Sequence, residues 1–120
     1  MISYYAVVTL LIMHWLFDFV CQSDEMVINK STSLKWLSIH VGVYSIGLFI
    51  FAFFFLSPLD ALSWAIFNAF LHFCVDDNTS KLGAYFWKKD MRRWFFVTVG
   101  FDQLFHYFCL FTTYLIWSTL

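Results

Sequence analysis

Histidine and aspartate recur in this sequence as pairs separated by four residues. The pairs are His14 with Asp18, His72 with Asp76 and, in reversed order, Asp102 with His106. Residues four apart project from the same side of an α-helix, so both members of a pair can reach one ligand. Imidazole and carboxylate groups together suit zinc, iron or manganese. The pattern therefore predicts a divalent metal site, with Zn favoured and Mn or Fe as alternatives.

The six paired residues are the predicted metal ligands: His14, Asp18, His72, Asp76, Asp102 and His106. They could hold one ion with a second shell of donors, or two ions bridged by carboxylate. A bound ion lowers the pKa of its water and polarises a substrate. Two further residues, His40 and Gln103, are the predicted catalytic base or outer-shell donors.

The elements that carry these residues are strongly apolar. Hydrophobic residues make up 62% of the 120, charged residues only 12%, and 17 are Phe, a composition outside the range of soluble domains. Apolar runs long enough to cross a bilayer predict helices at about 2–21, 34–56, 59–75 and 95–117. We expect one all-α domain over residues 1–120, a polytopic four-helix transmembrane bundle. Residues 82–94 have the aromatic and basic character of a short interfacial helix between helices three and four.

The basic residues predict the orientation of this bundle. They fall near the first connection or in the third: Lys30, Lys35, Lys81, Lys88, Lys89, Arg92 and Arg93. The positive-inside rule then predicts an inner (cytoplasmic) membrane protein whose loops 22–33 and 76–94 are cytoplasmic and whose termini both lie outside. We expect no removable signal peptide, because residues 1–21 lack a basic leader and a small-residue cleavage site.

The reversed order of the third pair fits this topology. Helices one and three run toward the cytoplasm and helix four runs away from it. In each pair the histidine therefore lies deeper than the aspartate, and His40 reaches a similar level. Charged groups within a membrane are costly and usually functional. A single pair could equally hold helices together, but three pairs and a fourth histidine at one depth favour a site.

Three motifs resemble a known family of small phage and bacterial membrane proteins, domain-of-unknown-function 3307. They are His14-x-x-x-Asp18-Phe19-x-x-Gln22, then His72-x-x-x-Asp76, then Asp102-Gln103-x-x-His106. The likeness covers nearly the whole chain and implies a shared polar site, but no activity. A looser similarity of pattern extends to membrane-bound proteins described as metal-dependent hydrolases.

Three functions follow as hypotheses. The first is a metal-dependent hydrolase acting at the cytoplasmic membrane face on a lipid-linked or small anionic substrate. The second is a transporter or channel for a metal ion or proton, although few polar residues occupy the outer halves of the helices. The third is a non-catalytic phage or bacterial protein that binds a host membrane partner. A homo-oligomeric state is possible. A net charge of -1 and the lack of a phosphate-binding loop argue against nucleic acid as a partner.

Overall fold

The computed structural model describes residues 2–120, and helices account for nearly all of them. In chain order they are α1 (Tyr4–Trp15), a π-helical turn (Leu16–Val20), α2 (Asp24–Asn29), α3 (Leu34–Phe53), α4 (Pro58–Lys88) and α5 (Arg92–Ser118). Residues 2–120 contain no strand. The prediction of an all-α protein is therefore confirmed.

Serine residues begin most of these helices. The side chains of Ser3, Ser23, Ser33 and Ser57 each accept a hydrogen bond from a backbone N–H at the start of α1, α2, α3 and α4. Such caps satisfy amide groups that have no partner within the helix. Pro58 occupies the first turn of α4, where its missing N–H costs nothing. The local sequence thus fixes where four of the helices start.

The third predicted helix is much longer than expected. It was predicted to end at residue 75, but α4 continues to Lys88, and α5 begins at Arg92. Side chains of Asn78 and Thr79 bond to carbonyls four residues earlier, and Asp77 pairs with Lys81 at 2.8 Å. A polar run without glycine or proline before residue 83 can stay helical. The predicted separate interfacial helix over residues 82–94 is therefore wrong, because residues 82–88 are the end of α4 and residues 92–94 are the start of α5.

The actual break between α4 and α5 lies at residues 89–91. Asp90 adopts φ 56°, a left-handed conformation that aspartate tolerates better than most residues. The first connection also differs from the prediction of a loop, because it contains α2. Predicted helix one divides into α1 and the π-helical turn, and predicted helix two ends at Phe53 rather than 56.

The helices pack as two long hairpins that share α4. α4 packs against both α3 and α5, while α1 packs mainly against α3. One half of the bundle interior is an apolar cluster that includes Leu10, Phe51 and Trp64. The other half holds the buried histidine and aspartate residues. This second half adjoins the basic end of the bundle, which comprises α2 with Lys30 and the tip between α4 and α5.

Three helices, α3, α4 and α5, are long and apolar enough to cross a membrane. The segment Tyr4–Val20 is apolar but shorter. Many large apolar side chains face outward, such as Phe70, Leu104 and Phe108, each more than 60% exposed. These features are consistent with a membrane protein.

Candidate metal centre

The residues with metal-binding chemistry come together in the half of the bundle nearest the basic end. The six most enclosed are His14, Asp18, His40, His72, Asp76 and His106, none more than 4% exposed. Asp102, at 14%, is the most open carboxylate of the cluster. They come from the first helical segment, α3, α4 and α5, so the site requires the whole bundle.

The π-helical turn brings Asp18 into this cluster. The N–H of Cys21 donates to the carbonyl of Leu16, five residues earlier, which widens the turn that contains Asp18. Such turns are rare and are frequent at functional sites. Gly47 of α3 permits the close approach, because a Cβ atom there would overlap the ring of Phe17. A side chain at residue 47 would therefore push the turn away from α3.

Four residues form a compact set that we term the four-ligand group: Asp18, His40, His72 and Asp76. The Nε2 atom of His40 lies 3.0 Å from Asp18 Oδ1, 3.1 Å from Asp76 Oδ2 and 3.1 Å from His72 Nε2. His72 Nε2 lies 3.5 Å from Asp18 Oδ1 and 3.8 Å from Asp76 Oδ2. Ligand atoms around tetrahedral zinc lie about 3.3 Å apart. These five distances are close to that value, and all four ligand atoms lie within 4.8 Å of one another.

Hydrogen bonding alone does not satisfy the four-ligand group. An imidazole nitrogen carries at most one hydrogen, yet His40 Nε2 meets two carboxylate oxygens and a second imidazole nitrogen. Within residues 2–120, its other nitrogen, Nδ1, is buried without a hydrogen-bond partner. The polar contacts of His40 are thus concentrated on one atom that faces three potential ligands.

A second set, which we term the three-ligand group, consists of Asp18, Asp102 and His106. Each offers one ligand atom, and these atoms lie within 4.8 Å of one another. His106 Nε2 is 3.3 Å from Asp102 Oδ1 and also 3.1 Å from Asp76 Oδ1. Thr79 of α4 donates a 2.5 Å hydrogen bond to Asp102 Oδ1. Asp18 belongs to both groups.

His14 and Gln103 support the cluster from the side where α1 meets α5. The amide nitrogen of Gln103 lies 3.3 Å from Asp18 Oδ2 and 3.0 Å from Asp102 Oδ2. Its oxygen therefore faces His14, and His14 Nε2 donates to it at 2.7 Å. His14 Nδ1 then accepts from the Tyr44 hydroxyl, also at 2.7 Å. Both nitrogens of a neutral His14 are occupied.

The structure thus brings together all eight residues singled out in the sequence, but in different positions from those expected. His40, predicted to be a catalytic base or an outer-shell donor, lies among the candidate ligands. His14, predicted to be a ligand, lies outside both groups and 3.6 Å from Asp18 Oδ2. Gln103 hydrogen-bonds to two candidate ligands, Asp18 and Asp102, and its role as a base or outer-shell donor stays a prediction.

Three contributors to the site were not among the predicted site residues. The ammonium of Lys30 lies 3.0 Å from Asp76 Oδ2. Tyr44 stacks on His72 with ring centroids 3.9 Å apart, and Thr79 holds Asp102. Tyr44 follows His40 by four residues, and Thr79 follows Asp76 by three. Helical periodicity could have found both.

One comparison with known proteins gives a match. The family model described as "Protein of unknown function (DUF3307)" matches residues 6–120, so it covers nearly the whole chain and every residue of the site. No curated protein and no solved structure matches the chain.

Proposed function

The chain belongs to the DUF3307 family, and we propose that this member is a membrane-embedded metal-binding protein that acts as a metal-dependent hydrolase. The observation that carries the metal site is the convergence of two carboxylates and His72 on one nitrogen of His40, at 3.0 to 3.1 Å. One hydrogen cannot satisfy three such contacts, whereas one central cation can bind all four groups.

The charge of the cluster also supports a bound cation. Asp18, Asp76 and Asp102 bring three negative charges, and Lys30 brings one positive charge. With neutral histidines, two negative charges are left within the bundle. Uncompensated buried charge is costly, and a single divalent ion would neutralise it. Zn²⁺ is favoured by the mixed imidazole and carboxylate ligands, with Mn²⁺ or Fe²⁺ as alternatives.

The membrane setting has its own support. α3, α4 and α5 are long enough to span a bilayer, and Tyr4–Val20 has 17 residues, the lower limit for a spanning helix. We propose that it is the fourth crossing. The basic end then faces the cytoplasm and the termini face outside, in an inner membrane. Labelling cysteines introduced at Ser3, Ser57 and Lys89, in a cysteine-free background, tests this topology. Ser3 and Ser57 on one side with Lys89 on the other support it, and Ser3 on the side of Lys89 contradicts the fourth crossing.

Hydrolysis is the reaction class that such a centre serves best. A metal ion activates water at neutral pH and polarises a phosphoryl or carbonyl oxygen. The centre lies near the basic end, six residues into α3, about 9 Å from the helix start. A small anionic or lipid-linked substrate could approach from this end or between α1 and α5, where His14 and Gln103 meet.

Elemental mass spectrometry tests the proposal directly. The full chain is purified in detergent without chelator, alongside His40→Gln and a matched control, Asn29→Gln, on exposed α2. We expect a transition metal in the native protein and the control, and its loss from folded His40→Gln. A native protein without metal, even after soaking in Zn²⁺, Mn²⁺ or Fe²⁺, would contradict the proposal and leave the cluster as a means of holding helices together.

The hydrolase assignment needs a separate test. Phosphate esters and lipid-linked phosphates are offered to the metal-loaded protein, and product formation is followed with and without chelator. We expect turnover that stops when the metal is removed and returns when it is restored. A metal-loaded protein that converts none of these substrates, nor carboxylic esters, would remove the hydrolase assignment and retain the metal site.

A further inference from the structure

We infer that the three-ligand group, Asp18, Asp102 and His106, binds a second divalent ion next to the ion of the four-ligand group. This inference deepens the proposed function and rests on it. Asp18 is common to both groups, so its carboxylate would bridge the two ions. The centre is then dinuclear, with one ion on each side of this carboxylate.

The contacts of Asp18 carry the first step. Its Oδ1 atom faces the four-ligand group, 3.0 Å from His40 Nε2 and 3.5 Å from His72 Nε2. Its Oδ2 atom faces the other way, toward Gln103 Nε2 at 3.3 Å. The same Gln103 nitrogen lies 3.0 Å from Asp102 Oδ2, so the second oxygen of Asp18 is on the side of the three-ligand group. A carboxylate with one oxygen in the four-ligand group and the other on the side of Asp102 is placed to bridge the two groups.

Asp76 contacts both groups but is a ligand only in the four-ligand group. Its Oδ2 atom is 3.1 Å from His40 Nε2, in the four-ligand group. Its Oδ1 atom is 3.1 Å from His106 Nε2, in the three-ligand group. The carboxylates of Asp18 and Asp76 therefore both lie between the four-ligand group and the three-ligand group. Paired carboxylates and histidines projecting into a helix bundle are the means by which other bundles hold two ions.

The number of ligands distinguishes the two positions. The four-ligand group can complete a tetrahedral shell with protein atoms, which is typical of a closed site. The three-ligand group leaves a position for water or substrate, which is typical of a reactive site. Its Asp102 is 14% exposed, whereas Asp18 is 4% exposed. The open side of the centre is therefore at Asp102.

Charge then indicates the class of outer ligand. The three carboxylates and Lys30 have a net charge of two negative units, which the first divalent ion balances. The second ion therefore adds two positive charges in excess. A bound hydroxide removes one of them and leaves an attraction for an anion. Ions about 3.5–4 Å apart clamp the attacking and leaving oxygens in phosphate ester hydrolysis. An anionic phosphate ester is thus the substrate class that fits the second ion.

Manganese is the probe that distinguishes one ion from two. The full chain in detergent is loaded with Mn²⁺, freed of excess, and analysed for metal content and by electron paramagnetic resonance. Two ions bridged by carboxylate are magnetically coupled, whereas an isolated Mn²⁺ shows its own hyperfine splitting. We expect two ions per native chain with a coupled spectrum, and one ion with an isolated spectrum in Asp102→Asn.

The controls keep the two proposals separable. Asp77→Asn changes a carboxylate that pairs with Lys81 away from the centre and is expected to retain both ions. His106→Gln repeats the prediction for Asp102→Asn should that variant fail to fold. One isolated ion in the native protein, unchanged in the folded variants, would overturn the second site and leave the metal proposal standing. No bound ion in the native protein would overturn both.

Discussion

The two halves of the bundle interior differ in the kind of side chain that they bury and in how well its polar groups are paired. In the apolar half, small residues such as Ala52 and Ala61 let the helices approach, and Phe51 and Trp64 fill the space between them. The buried Trp64 N–H has a partner there, the hydroxyl of Thr113 at 2.8 Å. In the other half, four histidines and three aspartates converge, and their donors and acceptors do not match one for one.

This difference indicates that the apolar half stabilises the fold and that the half with the histidines forms the candidate metal site. The apolar half is satisfied by its own contacts, so it can hold the helices together without a ligand. With neutral histidines, the other half contains excess negative charge, and His40 Nε2 has three polar neighbours; a cation would compensate the charge and bind these groups. Substitutions in the two halves should therefore have different consequences, and the following four predictions test that separation.

Asp76→Asn should have the largest effect on metal binding. It removes a carboxylate that contacts His40, His106 and Lys30, and we expect metal affinity to fall more than about 100-fold, because loss of an outer-shell partner alone costs 10–100-fold. The neighbouring Asp77→Asn is the matched control and should bind metal as the native protein does. Competition with a fluorescent chelator measures both. Equal affinities in the two variants would refute the role of Asp76.

Gln103→Ala should have an intermediate effect on metal binding. It removes the amide that holds Asp18 and Asp102 and the acceptor that orients His14. Metal affinity should fall about 10–100-fold while the helical circular dichroism is retained. Gln22→Ala is the control, because its side-chain oxygen has no hydrogen-bond partner in residues 2–120. A Gln103 variant with native affinity would mean that this amide does not organise the ligands.

Gly47→Ala should mainly affect stability. The added Cβ would overlap the ring of Phe17, and we expect the free energy of unfolding to fall by about 1 kcal/mol. Gly42→Ala, on the same helix, meets nothing within 4 Å and should be neutral or slightly stabilising. Unfolding in mixed detergent micelles measures the difference. Identical stabilities would show that α3 and the π-helical turn do not need this close approach.

Thr113→Val should have the smallest effect and leave the metal in place. Its hydroxyl accepts hydrogen bonds from Trp64 and Asn68. These bonds lie beside the apolar half of the interior. Hydrogen bonds between helices in a membrane contribute about 0.6 kcal/mol on average, so we expect a loss of that order. The exposed Thr112→Val is the control. A clear loss of metal in Thr113→Val would contradict the separation of the two halves.

Much of this organisation could be predicted from the sequence. Helical spacing and the reversed order of Asp102 and His106 correctly indicated residues that meet within the bundle. The apolar runs correctly indicated where α3 and α4 start, to within a residue, and the caps Ser33 and Ser57 account for these starts. These features are local, since each depends on residues within one or two helical turns.

The remaining features depend on contacts between distant segments. Spacing could not distinguish His40 from His14, because only packing turns Nε2 of His40 toward two carboxylates while Gln103 and Tyr44 occupy both nitrogens of His14. The π-helical turn places Phe17 against Gly47, a residue of another helix thirty positions later in the sequence. The continuation of α4 through Asp77 and Asn78 shows that polar residues alone do not end a helix.

The most direct test of the account is zinc X-ray absorption spectroscopy on the full chain loaded with one equivalent of Zn²⁺. The four-ligand group predicts a shell of nitrogen and oxygen at about 2.0–2.1 Å with the outer scattering of imidazole, and the loss of this signal in Asp76→Asn. Zinc that does not stay bound, or a sulfur shell at about 2.3 Å from one of the cysteines, would contradict the claim that the buried histidines and aspartates form a metal centre.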